Sequence, residues 1–260
     1  MNIVVLIKQV PDTWSERRLS DSDHTLDRGS ADAVLDEINE RAVEEALKIK
    51  EAGEGEVTVV TMGPDRATDA IRKALSMGAD KAVHLRDDRL HGSCAVRTAR
   101  ALATVIGTLG DVDLVIAGNE ATDGTVGAVP AMVAEVLGLP ELTHARKVTV
   151  EGGTVTVERE TDDAVTVLQA DLPAVVSVNE KINEPRYPSF KGIMAAKKKP
   201  VSTLSLADAG IEPNQVGLAG ATSTVVESAP RPSRSAGQVI TDEGDGGTKL
   251  AEYLIGQKLI

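Results

Sequence analysis

The segment Gly118-Asn119-Glu120-Ala121-Thr122-Asp123-Gly124-Thr125-Val126-Gly127 follows the apolar run Leu114-Val115-Ile116-Ala117 and precedes a helical pattern ending near Gly138. Glycines at a strand-to-helix junction let backbone approach a ligand, and the helix start offers N–H groups to a phosphate. The spacing is not the dinucleotide fingerprint, and no Walker sequence occurs. An ordinary connecting loop therefore stays open beside a phosphate site. The second notable segment is Asn183-Glu184-Pro185-Arg186-Tyr187-Pro188-Ser189-Phe190, continued by Lys191, Gly192, Ile193 and Met194. It holds two of the four aromatics of the chain; the others are Trp14 and Tyr253. Two prolines stiffen it, which reduces the entropy lost on binding. Ser189 can cap a following helix, on which Phe190, Ile193 and Met194 share a face. Lys197, Lys198 and Lys199 add positive charge. Aromatics, Met and cations suit an interface, but packing beneath the loop is equally open. Acid–base and nucleophile signatures are missing: there is no nucleophile elbow, metalloprotease helix or kinase set. Asp87-Asp88 and Asp162-Asp163 read as solvated turns, and His24, His84, His91 and His144 are scattered rather than spaced as metal ligands.

The elements that must position these segments alternate. Ile3 to Lys8, Val57 to Thr61, Lys81 to Leu85 and Leu114 to Ala117 are apolar runs suited to strands covered on both faces. Helical patterns lie between them: Asp36 to Glu51, a helix capped by Asp65 and ending at Gly78, and Ser93 to about Leu109. Asp12 to Gly29 reads as a long loop. The alternation predicts a doubly wound, mostly parallel α/β sheet. Ligands of such sheets bind beyond the carboxyl ends of the strands, here at Val10-Pro11-Asp12, Met62-Gly63 and Gly118-Asn119-Glu120. Glu151-Gly152-Gly153 then predicts a β-hairpin between Lys147–Val150 and Thr154–Glu158, with further strands at 165–168 and 174–178. The expected organisation is an α/β domain over 1–199 and a C-terminal arm over 200–260. The arm contains a linker at 229–237 and a terminal helix within 249–260, and either folds back or packs on another chain.

A net charge of −12 argues against nucleic acid as the main partner. One cysteine, Cys94, permits no disulfide framework. No apolar run approaches the roughly 20 residues of a membrane span, and no signal peptide precedes the first strand, so the expectation is a cytoplasmic protein without direct membrane insertion.

Asn183 to Tyr187, with Gly192-Ile193-Met194-Ala195-Ala196-Lys197-Lys198-Lys199, resembles the recognition loop of electron-transfer flavoprotein beta subunits. Val157-x-Arg159-x-x-Asp162-Asp163, running on to Leu172-Pro173-Ala174-Val175-Val176-Ser177, is similar to the family signature and departs at Ala164 and Thr166. The opening Val5-Leu6-Ile7-Lys8-Gln9-Val10, Ala42-Val43-Glu44-Glu45-Ala46 and Ile71 to Asp80 also look like the family. The resemblance implies an adenine-nucleotide alpha-hydrolase-like domain in a heterodimer with an alpha subunit. That partner holds most of the redox FAD, and this chain holds an AMP that does no redox chemistry. By position, AMP would meet Leu6, Asp36-Glu37-Ile38-Asn39, Met62, the loop from Gly118 to Gly127, Ala128 and Val129. Gln and Gly are common in the family where this chain has Ala128 and Pro130, and an aromatic often stands at Thr13 near the flavin. Residues 183–194 would dock flavin dehydrogenases, including acyl-CoA dehydrogenases, with Phe190 as the anchor and Tyr187 as a support. The C-terminal arm would wrap onto the alpha subunit, and electrons would pass to a membrane quinone oxidoreductase. The chain would be a carrier without catalytic residues of its own. Alternatives are a bifurcating type with a second FAD in place of AMP, an ATP-using enzyme of the same architecture, and a standalone nucleotide-binding stress module.

Overall fold

The computed structural model describes residues 1–234, 237 and 239–260. Two compact units divide the chain at Val226. In the first unit the strands and helices run β1 (Asn2–Leu6), β2 (Gln9–Pro11), β3 (Ala33–Leu35), α1 (Glu37–Ala52), β4 (Glu56–Met62), α2 (Thr68–Met77), β5 (Lys81–Leu85), α3 (Ala95–Gly107), β6 (Leu114–Gly118) and α4 (Val129–Leu137). They continue with β7 (Glu141–Glu151), β8 (Thr154–Glu160), β9 (Val165–Asp171), β10 (Ala174–Val178), α5 (Phe190–Ala196), β11 (Val201–Leu204) and α6 (Gly217–Gly220). The second unit, 227–260, contains α7 (Gly246–Gly256).

Nine strands form one sheet in the order β11-β5-β4-β1-β6-β10-β7-β8-β9. β11 through β7 pair in parallel, and β7, β8 and β9 continue as an antiparallel meander. This is the doubly wound, mostly parallel sheet that the alternation predicts. Its residue chemistry explains the winding. Side chains alternate across a strand, so Ile3, Val5 and Val59 enter one core with Ala42, Val43, Ala46, Ile71 and Leu75 of α1 and α2. Val4, Leu6, Val60 and Val115 enter another with Leu102, Val105 and Ile106 of α3 and with Val133 of α4. Strands apolar on both faces require helices on both faces.

From β1 the chain winds outward through β4 and β5, then returns to place β6 on the other side of β1. The strand order therefore reverses between β1 and β6, the position at which such sheets open a crevice.

Several local expectations change. β1 stops at Leu6, and Gln9–Pro11 pairs instead with β3 in a separate antiparallel ribbon. The first strand exit is thus Ile7-Lys8, not Val10-Pro11-Asp12, and the 12–29 loop is bracketed by that ribbon. Asp65 does not cap a helix: it begins a short 3-10 turn before α2. Ser93 does not open α3; Cys94 precedes it, and the Ser93 hydroxyl donates to the Leu90 carbonyl and accepts from the Gly217 N–H. The domain boundary expected at residue 200 lies later, because β11 joins β5 in the main sheet and the compact unit reaches Val226. In the predicted linker, Ser235 and Ala236 lie outside the described residues. In the second unit α7 has no buried residue, and Lys249 pairs with Asp245 one turn away.

Candidate functional site

Gly118 ends β6 directly beside the start of α1. A Cβ on Gly118 would sit 2.6 Å from Nδ2 of Asn39 and 2.9 Å from Cγ2 of Ile38. Only glycine admits this approach. Asn39 is itself fixed, since its Oδ1 accepts the Lys8 N–H at 2.7 Å. Asp36, fully buried, caps α1 by accepting from the N–H groups of Ile38 and Asn39. Its other oxygen accepts from both the N–H and the hydroxyl of Thr122, at 2.7 and 2.8 Å. One carboxylate thereby ties the first turn of α1 to the glycine loop.

A second carboxylate fixes the loop from its other side. Asp123 accepts from Lys8 Nζ on one oxygen and from Arg28 Nε on the other, each at 2.7 Å. Burial alone would raise the Asp123 carboxyl, but Lys8 and Arg28 together outweigh it and hold it below the usual carboxylate range. Burial dominates at Lys8 and lowers its ammonium despite Asp123. Two cations thus flank one buried anion at this corner, with the buried Asp36 carboxylate also acting on Lys8.

Beyond the loop, no side chain caps α4. The first-turn N–H groups of a helix have no intrahelical acceptor, so they suit a phosphate. Pro130, in the first turn, lacks an N–H and takes nothing from the helix there. Asn119 Oδ1 is buried without a hydrogen-bond partner. Leu6 and Met62 stand at the apolar ends of β1 and β4 and pack on the core there. An open helix start, an orphaned acceptor and apolar strand ends fit an adenine nucleotide.

The structure thus brings Leu6, Asp36, Ile38, Asn39, Gly118, Asn119, Thr122 and Asp123 to one end of the sheet, with Met62 at the end of the neighbouring β4. Glu37 points to solvent, and Gly124, Thr125 and Val126 form the exposed tip of the loop. Thr125 and Gly127 both adopt positive φ, 47° and 67°. Lys8 and Arg28 are site residues that sequence reasoning missed. Lys8 carried one available signal, a cation closing an apolar strand. Arg28 carried none, being 95 residues from its partner.

The segment 183–194 divides into two faces. Tyr187 is 94 % exposed and Phe190 81 %, and Ile193 and Met194 are also exposed. Packing beneath the loop is therefore ruled out for both aromatics, and Tyr187 is not a support within this chain. Glu184 and Lys191 face solvent as well, while Pro185 and Pro188 are half-buried. Ser189 caps α5 as expected, its Oγ accepting the Gly192 N–H. Asn183 and Arg186 turn inward onto α1, and Gly192 turns onto α2. Lys199 does not add free charge: its Nζ donates to the carbonyls of Leu75 and Ala79 at the end of α2.

His84 is buried, its Nε2 2.9 Å from the Gly63 carbonyl, and burial lowers its pKa. His91 pairs with Asp23. Among the described residues no group of three His, Cys, Asp or Glu side chains is placed to hold a metal. A groove between α3 and α4, lined by Val96, Arg100, Met132, Glu135 and Leu139, contains none of the predicted site residues. No helix among the described residues is long and apolar enough to cross a membrane.

Fold and site together define an open, doubly wound α/β protein whose crevice, at the reversal of strand order, is built from main chain, helix starts and two buried carboxylates. The chain belongs to the electron transfer flavoprotein family, among its beta subunits: residues 23–209 match the electron transfer flavoprotein domain. It is 66 % identical over 264 residues to the electron transfer flavoprotein subunit beta of Mycobacterium tuberculosis (strain ATCC 25618 / H37Rv), covering 100 % of this chain and 99 % of the relative. The same identity and coverage hold for the Mycobacterium leprae (strain TN) subunit. Identity is 35 % over 271 residues to the Megasphaera elsdenii subunit, covering both chains fully.

Proposed function

We propose that this chain is the beta subunit of a heterodimeric electron carrier, that it holds AMP in the crevice between β1 and β6, and that it presents residues 187–194 to flavin dehydrogenases. In this reading an alpha subunit holds most of the redox FAD and receives the C-terminal arm. Electrons arrive from dehydrogenases, including acyl-CoA dehydrogenases, and leave to a membrane quinone oxidoreductase. The carrier works in the cytoplasm, and this chain contributes no acid, base or nucleophile.

One observation carries the nucleotide part. The glycine loop is held open by Asp36 and Asp123 in front of an uncapped helix start. Bound there, AMP would supply no redox chemistry. The chain's own groups would do the work: α4 N–H groups oriented at the phosphate, Asn119 as an acceptor, Leu6 and Met62 excluding water. The docking part is supported by the exposure of Tyr187, Phe190, Ile193 and Met194 on one stiffened segment.

The test is to purify the chain with its alpha subunit, denature the complex and identify the released nucleotides. One FAD and one AMP per heterodimer is the expected result. Two FAD and no AMP would replace the AMP reading with a second flavin. FAD with no nucleotide in excess would refute nucleotide binding by this chain.

A further inference from the structure

Arg186 lies between Pro185 and the exposed Tyr187, yet its guanidinium turns onto α1 and leaves the side chain only 33 % exposed. Its Nε donates to Glu44 Oε2 at 2.7 Å and its Nη2 to Glu44 Oε1 at 3.0 Å, a two-pronged pairing. Nη2 also reaches Glu51 Oε2 at 3.0 Å, and Nη1 donates to Glu51 Oε1. The Arg186 N–H adds a further bond to Glu44 Oε2 at 3.1 Å. Glu44 and Glu51 are seven residues apart on α1, two turns along one helix face. A planar guanidinium spanning two carboxylates fixes its own backbone in position and direction, which an ammonium cannot do.

The neighbouring loop residues repeat the pattern. Asn183 Nδ2 donates to the Arg41 carbonyl at 3.1 Å and to Glu45 Oε2 at 3.0 Å, and Arg41 Nη1 donates back to the Asn183 carbonyl. The far end of the segment is held by α2. Arg72 Nη1 donates to the Ala196 carbonyl at 2.8 Å, and Gly192 lies so close that a Cβ there would be 2.5 Å from the Ser76 carbonyl oxygen. Between these two anchors stand Tyr187 and Phe190, with no such ties of their own.

We infer that Glu44 and Glu51 of α1, acting through Arg186, are positioning residues that hold the docking loop in its binding shape before a partner arrives. The inference rests on the docking reading of 187–194, and it gives the acidic face of α1 a task that its sequence pattern does not announce. A segment ordered in advance loses less entropy on association. Weakening the clamp therefore raises KM for the partner and spares electron transfer at saturation.

The experiment uses the complex with the alpha subunit and four substitutions in this chain: R186Q, R186K, E51Q and, as a separate probe of docking, F190A. Hydrogen exchange of peptides within 183–196 reads the loop shape; flavin content reads integrity. Steady-state reduction by an acyl-CoA dehydrogenase with its acyl-CoA reads docking. R186Q is expected to speed exchange of the loop roughly tenfold and to raise KM several-fold at unchanged kcat and flavin content. R186K should recover part of both effects, because it keeps charge but not the fork. E51Q should give a smaller effect, since Glu51 is more exposed than Glu44. If R186Q does not assemble, R186K and E51Q carry the comparison. Unchanged loop exchange in these variants would overturn the clamp. Faster exchange with unchanged KM, while F190A raises KM, would overturn its role in docking and leave the docking surface standing. Unchanged KM in F190A as well would locate the failure in the docking reading, and the clamp's role in docking would fall with it.

Discussion

Replacing Asp123 with Asn removes the charge from the carboxylate that fixes the glycine loop. Two charge-assisted hydrogen bonds are at stake, to Lys8 and Arg28, each 2.7 Å long. Bonds of this kind contribute about 1.5–3 kcal/mol each where solvent is excluded. The Asp123 side chain is fully buried, but those of Lys8 and Arg28 are 39 % and 44 % exposed. Solvent screening at the cations reduces each pairing to at most about 1 kcal/mol. The amide oxygen of Asn also keeps one acceptor. The expected loss at pH 7 is therefore about 1–2 kcal/mol, not the 3–6 that unscreened addition suggests. The pH dependence supplies a sign. Asp123 titrates below its ordinary value of 3.8 when folded, so its contribution is complete above that value and is lost as pH falls through the folded pKa. Wild type and D123N should thus differ at pH 7 and converge in strong acid. The assay is urea denaturation followed by far-ultraviolet circular dichroism. Trp14, the sole tryptophan, is 96 % exposed already and would report little by fluorescence. A D123N variant within about 0.5 kcal/mol of wild type at pH 7, a range ordinary for neutral surface changes, would refute the reasoning. So would a difference that persists unchanged in strong acid.

Two further outcomes follow from packing and burial. G192A should cost about 1–3 kcal/mol, because α5 must move off α2 to relieve a 2.5 Å approach to the Ser76 carbonyl; chemical denaturation measures it, and a neutral result would mean the two helices shift freely. His84 is held neutral by burial, with its folded pKa below the ordinary histidine value of 6.5, so wild type should lose stability progressively as pH drops below about 6.5. In H84Q the fall in Tm between pH 7.5 and 5.5 should be smaller, as read by thermal unfolding at both values.

The centre of the parallel sheet, β1, β4, β5 and β6, was legible because these strands are apolar on both faces and alternate with helical patterns. Ile3 to Leu6 and Val57 to Val60 could belong nowhere else in a protein of this composition. β2, β3 and β11 were not legible: each has only three or four residues, and nothing in Gln9-Val10-Pro11 or Val201-Ser202-Thr203-Leu204 sets a period. Their pairing is decided by tertiary neighbours, as for most short strands. The site was legible at Gly118, where a glycine ends a strand, and at Asp36, which stands before a helix. It was not legible at Lys8 and Arg28, because local pattern says nothing about a partner 115 or 95 residues distant.

The same limit explains the docking segment. Sequence pattern marked 183–194 as one unit, since its prolines, aromatics and methionine are adjacent. Which of those side chains face inward depends on Glu44, Glu45 and Glu51, which reach the segment only after α1 has packed on the sheet. Helix α1 itself packs there through Ala42, Val43, Ala46 and Leu47, and its start is capped by the carboxylate that also holds Thr122 of the glycine loop. One amphipathic helix therefore uses its apolar face for the core, its first turn for the crevice and its acidic face for the exposed loop. The acidic positions Glu44 and Glu45 of α1 are buried and committed to the segment that carries Tyr187 and Phe190.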